Sequence, residues 1–245
     1  MTAVLLAVSL LFSAKTAEAA GAGDVGGTAF LSEKGVRIGV EESTIQEQMA
    51  RELYPDAEIY YYNKVEGYTA VAQGKLDAFL YEKMQMELAV KNGMQGVRVL
   101  DETIGEPTKI ALAVSDASQI PDLKSKVNQF IAEIKSDGTF DEMYDRWMVK
   151  GDYAMPDIGK PQNPEYTLRV ATSGDVEPFS FYKDTAITGF DMEMMQRFAL
   201  WIGADLQVET YNWNALLATT QSGKADIIAS NLQYTPEREI GRAHV

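Results

Sequence analysis

The stretch ATTQSGKADIIA (Ala218–Ala229) joins a helix end, a Gly-Lys turn and an apolar strand that Asp226 opens. The same order recurs in AVAQGKLDAFL (Ala70–Leu80), where Asp77 takes the place of Asp226. A helix, turn and strand unit repeated in two parts of one chain indicates two lobes of similar βαβ construction. We predict that both aspartates serve their turns and that neither binds a ligand.

Helix and strand patterns alternate outward from these two units. The short apolar runs that predict strands include GVRIGV (35–40), LDAFLY (76–81), KIALAVS (109–115), TLRVATS (167–173) and ADIIAS (225–230). Between them, apolar residues at helical spacing predict helices over 43–53 and 188–203, with Ser43 and Asp191 as capping residues. This alternation predicts an α/β fold in which helices cover parallel sheets.

Composition excludes several classes of function. The formal charge of -14 argues against nucleic-acid binding, which needs clustered basic residues, but it leaves cationic and zwitterionic solutes possible. The chain has no Cys, so a disulfide, a thiolate nucleophile and a lipidated cysteine are excluded. His244 is the only histidine, which removes most hydrolytic triads and histidine-based metal sites. We predict no cofactor and no metal.

The N-terminal segment contains the apolar run VLLAVSLLF (Val4–Phe12), followed by a small-x-small site at Ala17 and Ala19. A run of this length is too short for a transmembrane helix but typical of a secretory signal peptide. We predict a signal peptide over residues 1–20, although no Lys or Arg precedes the run. The alternative is a buried strand or helix of a longer gene product that begins upstream.

The rest of the chain is predicted to form two structured segments. The two structured segments are residues 28–149 and 166–239. A linker over 150–165 separates them, and a tail over 240–245 follows. The linker holds three of the eight prolines and lacks apolar periodicity. The tail, IGRAHV, matches the translation of a widely used sequencing adapter, and we expect the gene to be real only as far as Glu239.

Four motifs in order, TLRVATSGDVEPFSF, TGFDMEMMQRFA, NWNALLATTQSGKADIIASN and TPER, lie within residues 166–239. In this order they resemble the first lobe of the family 3 extracytoplasmic solute-binding proteins, which deliver polar amino acids to ABC transporters. Residues 35–148, ending in SDGTFDEMYDRWM, resemble the second lobe and closing helices of the same family. The resemblance implies a two-lobed periplasmic binding fold of type II, with its lobes in permuted order, the rear half first.

The resemblance also implies a set of ligand-binding residues. Arg238 matches the clamp for the ligand carboxylate, and Glu82 matches the carboxylate of the opposite lobe that accepts the ligand ammonium. The other matched positions are Ser230, Asn231, Gln233, Trp213, Ser43 and Thr44. Trp213 could equally belong to the core of its lobe. The chain departs from the usual pattern of the family at Val176, Ser173 and Glu82. The amino-acid-binding class is therefore better supported than any one amino acid.

The function implied is binding of a small polar solute, an amino acid, outside the cytoplasmic membrane by closure of two lobes. The implied partner is the membrane permease of an ABC transporter, which could be fused downstream, and the protein is predicted not to be an enzyme. One alternative is the sensing domain of a membrane signalling protein. Another is an enzyme on the same fold, a dehydratase or a peptidoglycan-cleaving protein, with Glu177 as the acid-base candidate.

The reversed order of the two halves leaves a structural question. The halves could fold against each other as a circular permutant, which would bring Glu82 and Arg238 across one cleft. Alternatively, each half could require a partner that this sequence does not contain.

Overall fold

The computed structural model describes residues 6–13 and 27–234, with side chains for 27–105 and 109–234. The chain divides into two compact units, Met1–Lys109 (unit 1) and Ile110–Val245 (unit 2). This boundary falls inside the predicted segment 28–149 and before the predicted linker. Residues 150–165 contain no helix or strand, and they lie within unit 2.

Unit 1 is a five-stranded sheet with the order β3-β2-β4-β1-β5. Its strands are β1 (Leu6–Ser13), β2 (Arg37–Val40), β3 (Glu58–Tyr61), β4 (Ala78–Glu82) and β5 (Val97–Thr108), and its helices are α1 (Ile45–Leu53), α2 (Lys64–Ala72) and α3 (Lys83–Lys91). The strand β2 runs parallel to β3 and β4, as the alternation of helices and strands predicts. The strand β1 runs antiparallel to β4 and β5, so the sheet is mixed.

The apolar run near the N-terminus lies inside this sheet. Leu6–Ser13 pairs with β4 on one side and with β5 on the other. A continuous apolar run suits a strand with neighbours on both edges. This run therefore forms a strand in the structure, while the signal peptide over residues 1–20 stays a prediction, and its other residues lie outside the described part of the chain.

Close packing of α2 on the unit 1 sheet depends on a glycine. A Cβ atom at Gly67 would lie 2.2 Å from Cε2 of Phe79, so only glycine lets the helix approach this buried ring. Phe79 in turn stacks on Tyr81 at a centroid distance of 5.9 Å and meets Tyr68 edge to face. These rings form an apolar layer on one face of β4.

Unit 2 contains a four-stranded sheet, with the order β11-β7-β12-β6, and a three-stranded sheet, with the order β10-β9-β8. Its strands are β6 (Ile110–Val114), β7 (Tyr166–Thr172), β8 (Asp175–Val176), β9 (Ser180–Lys183), β10 (Ala186–Thr188), β11 (Ala204–Thr210) and β12 (Ile227–Gln233). Its helices are α4 (Leu123–Ser136), α5 (Thr139–Tyr144) with a π-helical turn (Asp145–Val149), α6 (Phe190–Ile202) and α7 (Trp213–Gln221).

Parallel pairing in unit 2 is confined to β7 and its two neighbours, β11 and β12. The strand β6 pairs with β12 in the antiparallel sense, so the expected all-parallel sheet is wrong at this edge. Strand direction at an edge depends on where the chain enters the sheet, and an apolar run carries no sign of it.

Helices from both predicted segments share the core of unit 2. The side chain of Glu193 on α6 is fully buried, and its carboxylate accepts hydrogen bonds from Trp147 Nε1 at 2.6 Å and Arg197 at 2.8 Å. The rings of Phe130 on α4 and Phe198 on α6 lie 5.3 Å apart. Residues 110–149 therefore fold together with the segment that follows the linker. Among the described residues, no helix has both the length and the apolar character needed to cross a membrane.

Candidate functional site

The carboxyl ends of the parallel strands β7 and β12 bring a group of polar residues together. Pairing of the two strands ends at Ile228 and Ala171, and the chain beyond these positions carries hydroxyl and amide side chains. Small ligands commonly bind at this edge of a parallel sheet. We call the following residues the strand-end site: Thr172, Ser173, Ser180, Ser230 and Asn231.

Ser230 is the centre of hydrogen bonding in the strand-end site. Its hydroxyl lies 2.8 Å from the hydroxyl of Ser173, accepts from the Ser173 N–H at 3.1 Å, and lies 3.5 Å from the hydroxyl of Ser180. Ser230 is 1% exposed and Ser180 is fully buried. A hydroxyl donates one hydrogen bond and accepts two, so the hydroxyls of this cluster can serve one another as donors and acceptors.

Asn231 adopts a left-handed backbone conformation, with φ of 49°. Its N–H donates to Oδ2 of Asp191 at 2.8 Å. Asn tolerates this region better than most residues, but it still departs from the regular strand geometry of β12. The turn of the backbone coincides with the irregular register between β12 and β6.

Asp191 does not cap α6, which corrects the prediction from the sequence. The first N–H groups of the helix, at Phe190 and Asp191, donate to the carbonyls of Pro178 and Phe179, each at 2.9 Å. Gly189 makes this contact possible, since a Cβ there would lie 2.1 Å from the Phe179 carbonyl oxygen. Because the loop satisfies the helix start, the Asp191 carboxylate is left for the Asn231 N–H.

Three polar atoms near this edge are buried and make no hydrogen bond within the described residues. They are Oγ1 of Thr172, Oδ1 of Asn231 and Nε1 of Trp213. Leaving such an atom unsatisfied costs about 1–3 kcal/mol. They are therefore candidates for bonding to a bound molecule.

The remaining sequence-predicted residues of this half have different surroundings. Trp213 begins α7 and packs against a core cluster that includes Leu216 and Ile228, which favours the core interpretation of its ring. Gln233 is buried at the end of β12. Arg238 lies outside the described residues, so its role as a carboxylate clamp stays a prediction.

In unit 1, the predicted ligand loop at the start of α1 is bonded internally. The hydroxyl of Thr44 donates to the Glu41 carbonyl at 2.6 Å and accepts from the Glu47 N–H at 3.2 Å. Thr44 is thus the capping residue, and the predicted Ser43 cap is wrong by one position. The Ser43 N–H donates to the Glu47 carboxylate at 2.9 Å, so an anion of the chain itself lies at this helix start.

Glu82 lies at the end of β4 in a buried polar cluster. Nε2 of Gln46 donates to its Oε1 at 3.5 Å, and both residues are buried. Burial raises the pKa of Glu82 to about 7; the nearby Lys64 ammonium opposes this rise and the Glu41 carboxylate adds to it. A carboxyl group with this pKa can exist in either protonation state near neutral pH.

Glu177, the acid-base candidate of the enzyme alternative, is engaged with a tyrosine. Burial raises the pKa of Tyr153, and a hydrogen bond with Glu177 raises it further. Tyr153 also stacks on Trp147 at a centroid distance of 6.0 Å. Among the described residues, no group of three or more His, Cys, Asp or Glu side chains is placed to hold a metal ion.

Sequence reasoning missed Thr172 and Ser180 as members of the strand-end site. Both follow apolar residues at the end or start of a short strand, in VAT and PFS. A polar residue that interrupts such a run is a usable signal, but it does not identify the residue that lies opposite.

Residues 168–240 match the sequence model of the bacterial extracellular solute-binding proteins, family 3. For this segment, the match confirms the resemblance stated from its motifs. The match contains the whole strand-end site. The mixed α/β fold class is also confirmed, whereas the permuted order of the lobes stays a prediction.

Two curated relatives and one solved structure illustrate the similarity. The chain is 36% identical over 76 residues to a "Probable histidine-binding protein" of Campylobacter jejuni, covering 31% of this chain and 30% of that one. It is 37% identical over 70 residues to the membrane-bound lytic murein transglycosylase F of Desulfosudis oleivorans, covering 29% and 15%. A lysine complex of a protein described as an ABC transporter binding component from Wolinella succinogenes is 23% identical, with a TM-score of 0.45, covering 61% and 62%.

The matched region spans 30% and 15% of the length of these two curated relatives. One of them is named as a binding protein and the other as an enzyme. The match therefore shows similarity to solute-binding proteins over this segment, while the activity of the whole protein requires an argument from the site.

Proposed function

We propose that this protein binds a small polar solute, an amino acid, outside the cytoplasmic membrane. The observation that carries the proposal is the strand-end site in the family-matched segment, where the hydroxyls of Ser173 and Ser230 lie 2.8 Å apart. Beside them, the buried Oδ1 of Asn231 makes no hydrogen bond within the described residues. An acceptor in this state is suited to an ammonium or amide N–H of a solute.

The charge of the protein favours the same class of ligand. A formal charge of -14 attracts solutes that carry an ammonium group and repels simple anions. Arg238 would hold the carboxylate of a zwitterion, and Ser230, Asn231 and Gln233 would hold its polar groups. In unit 1, Glu82, Ser43 and Thr44 stay predictions from the resemblance alone, and the Thr44 hydroxyl is already bonded to the Glu41 carbonyl and the Glu47 N–H. We further propose that the solute passes to the permease of an ABC transporter.

Calorimetric titration of the 245-residue chain with each common amino acid tests this proposal. We expect at least one amino acid to bind, and Ser230→Ala to weaken that binding by about tenfold, the effect of losing roughly one hydrogen bond to a charged group. Ser222→Ala is the matched control, because Ser222 is exposed and its hydroxyl donates only within α7 and its cap. A folded chain that binds no amino acid would contradict the proposal.

The enzyme alternative requires a separate measurement. Purified protein that converts a dehydratase substrate or cleaves peptidoglycan, and loses this turnover in Glu177→Gln, would replace binding by catalysis as the function. We expect no turnover, since Glu177 is bonded to Tyr153.

A further inference from the structure

Asp191 is a buried carboxyl group that the capping of α6 does not require. It is 3% exposed, and the N–H groups of the first helical turn already donate to loop carbonyls. A neutral side chain of the same volume would fill this space without the cost of desolvating a charge. The contribution of the carboxylate must therefore come from the bond that it makes.

That bond is directed at the backbone of Asn231. Asp191 Oδ2 accepts from the Asn231 N–H at 2.8 Å, and φ of Asn231 is 49°. A left-handed residue inside a strand has lost its regular ladder partner, and a charged acceptor offers one of the stronger replacements. The rotation of this backbone also decides where the Asn231 side-chain amide points.

We propose that Asp191 is a positioning residue that holds Asn231 in the left-handed conformation and thereby orients its amide in the strand-end site. The proposal rests on the proposed function, because it assigns Asp191 an indirect role in binding the solute. Asp191 acts through Asn231 and need not touch the solute. The charged groups nearest to it along α6, Glu193 and Arg197, are bonded to each other and not to Asp191.

The titration of Asp191 provides a readout that does not depend on any ligand. Burial raises the pKa of Asp191 to about 6, and the Asn231 N–H opposes this rise. A backbone N–H bonded to a titrating carboxyl group changes its NMR frequency as the proton is gained. In the 245-residue chain, we expect the Asn231 amide to titrate with a midpoint near the pKa of Asp191, and Asp191→Asn to abolish this titration.

Ligand affinity gives the second readout. Asp191→Ala removes the acceptor, and we expect affinity for the amino acid found by titration to fall by about 10- to 100-fold. Asp191→Asn keeps an acceptor oxygen, and we expect it to restore affinity to within about threefold of the parent protein. Asp184→Asn, which removes an exposed aspartate of the same unit, is the matched control and should change neither readout.

The outcomes separate this inference from the proposed function. If the parent protein binds an amino acid and Asp191→Ala binds it equally well, Asp191 is not a positioning residue. The same conclusion follows if the Asn231 amide shows no titration between pH 4 and 8, whether or not any amino acid binds. If the amide titrates as expected but no amino acid binds, the proposed function fails and the contact between Asp191 and Asn231 stands.

Discussion

Units 1 and 2 contain the same ion pair at the same point of their sheets. In unit 1, the guanidinium of Arg37 on β2 donates to both carboxylate oxygens of Asp77, at 3.0 and 2.6 Å. In unit 2, Arg169 on β7 donates to both oxygens of Asp226, at 3.0 and 2.7 Å. Each aspartate also accepts the backbone N–H of its arginine. The pair links two parallel strands in each unit, which explains the sequence echo around the two aspartates.

Beyond this shared pair, the two units use their polar groups differently. In unit 1, the Glu47 carboxylate accepts the Ser43 N–H at the helix start. The Thr44 hydroxyl accepts the Glu47 N–H and donates to the Glu41 carbonyl. In unit 2, the end of β12 retains a buried amide oxygen at Asn231 with no bond inside the described chain. The ion pair thus serves the fold in both units, whereas the polar groups at strand and helix ends differ between the units.

The largest expected effect comes from breaking the ion pair in each unit. The side chain of Asp226 is 2% exposed and that of Asp77 is 21% exposed. Asp226→Ala should therefore lower the free energy of unfolding by about 2–3 kcal/mol, since it removes the buried acceptor of the Arg169 N–H and guanidinium. Asp77→Ala should cost about 1–2 kcal/mol, because the Asp77 carboxylate is partly exposed and water replaces its bonds to Arg37 more easily.

Urea denaturation combined with hydrogen exchange measures these losses unit by unit. Asp226→Asn and Asp77→Asn serve as controls, because asparagine keeps the side-chain volume and one acceptor oxygen. Each should lose less free energy of unfolding than the corresponding alanine variant. Equal losses for the two alanine variants would show that burial does not distinguish the pairs and would remove this part of the comparison.

The ion pairs also show how far the sequence alone could go. The repeated Gly-Lys turn and its aspartate predicted that Asp77 and Asp226 serve their turns, but in the structure each aspartate bonds to an arginine of the neighbouring strand. Their arginine partners were missed, although VRIGV and LRVAT each place an arginine in the strand that precedes. A comparison of the two repeats over their full length would have found both.

Other features of the site depend on contacts between distant residues. Asp191 and Asn231 are 40 positions apart, and the cap signal at the start of α6 favoured the wrong partner. Glu47 was one of several glutamates near a helix start, and only the bend at Ser43, with φ of 62°, brings it to the Ser43 N–H. Local patterns predict the elements well, but the choice among equivalent polar partners is made by the folded chain.

The next effect concerns the buried carboxyl group of unit 1 and its dependence on pH. Burial raises the pKa of Glu82 to about 7, whereas an unfolded glutamate has a pKa of about 4.3. The folded state therefore binds more protons than the unfolded state between these values, and the contribution of Glu82 to stability falls as pH rises through about 7. Glu82→Gln removes this dependence.

The compared quantity is the free energy of unfolding of Glu82→Gln minus that of the parent protein. We expect this difference to be roughly 2 kcal/mol larger at pH 8 than at pH 5. Urea denaturation at both pH values measures the difference. Glu87→Gln is the control, because the Glu87 side chain is 56% exposed and should show no such dependence. A constant difference between Glu82→Gln and the parent protein would mean that Glu82 is not desolvated.

The smallest effect tests whether the helix start of unit 1 serves the fold or the solute. Thr44 caps α1 through the Glu47 N–H at 3.2 Å, and Asn212 caps α7 of unit 2 through the Ala215 N–H at 2.9 Å. Loss of either cap should cost about 1 kcal/mol, so Thr44→Ala and Asn212→Ala are a matched pair.

Because the Thr44 hydroxyl already donates to the Glu41 carbonyl, we expect Thr44→Ala to leave solute affinity unchanged within about twofold. Thermal denaturation and calorimetric titration measure the two quantities. A loss of affinity larger than the loss of stability would show that Thr44 contacts the solute, and would make unit 1 a partner in binding despite its internal bonds.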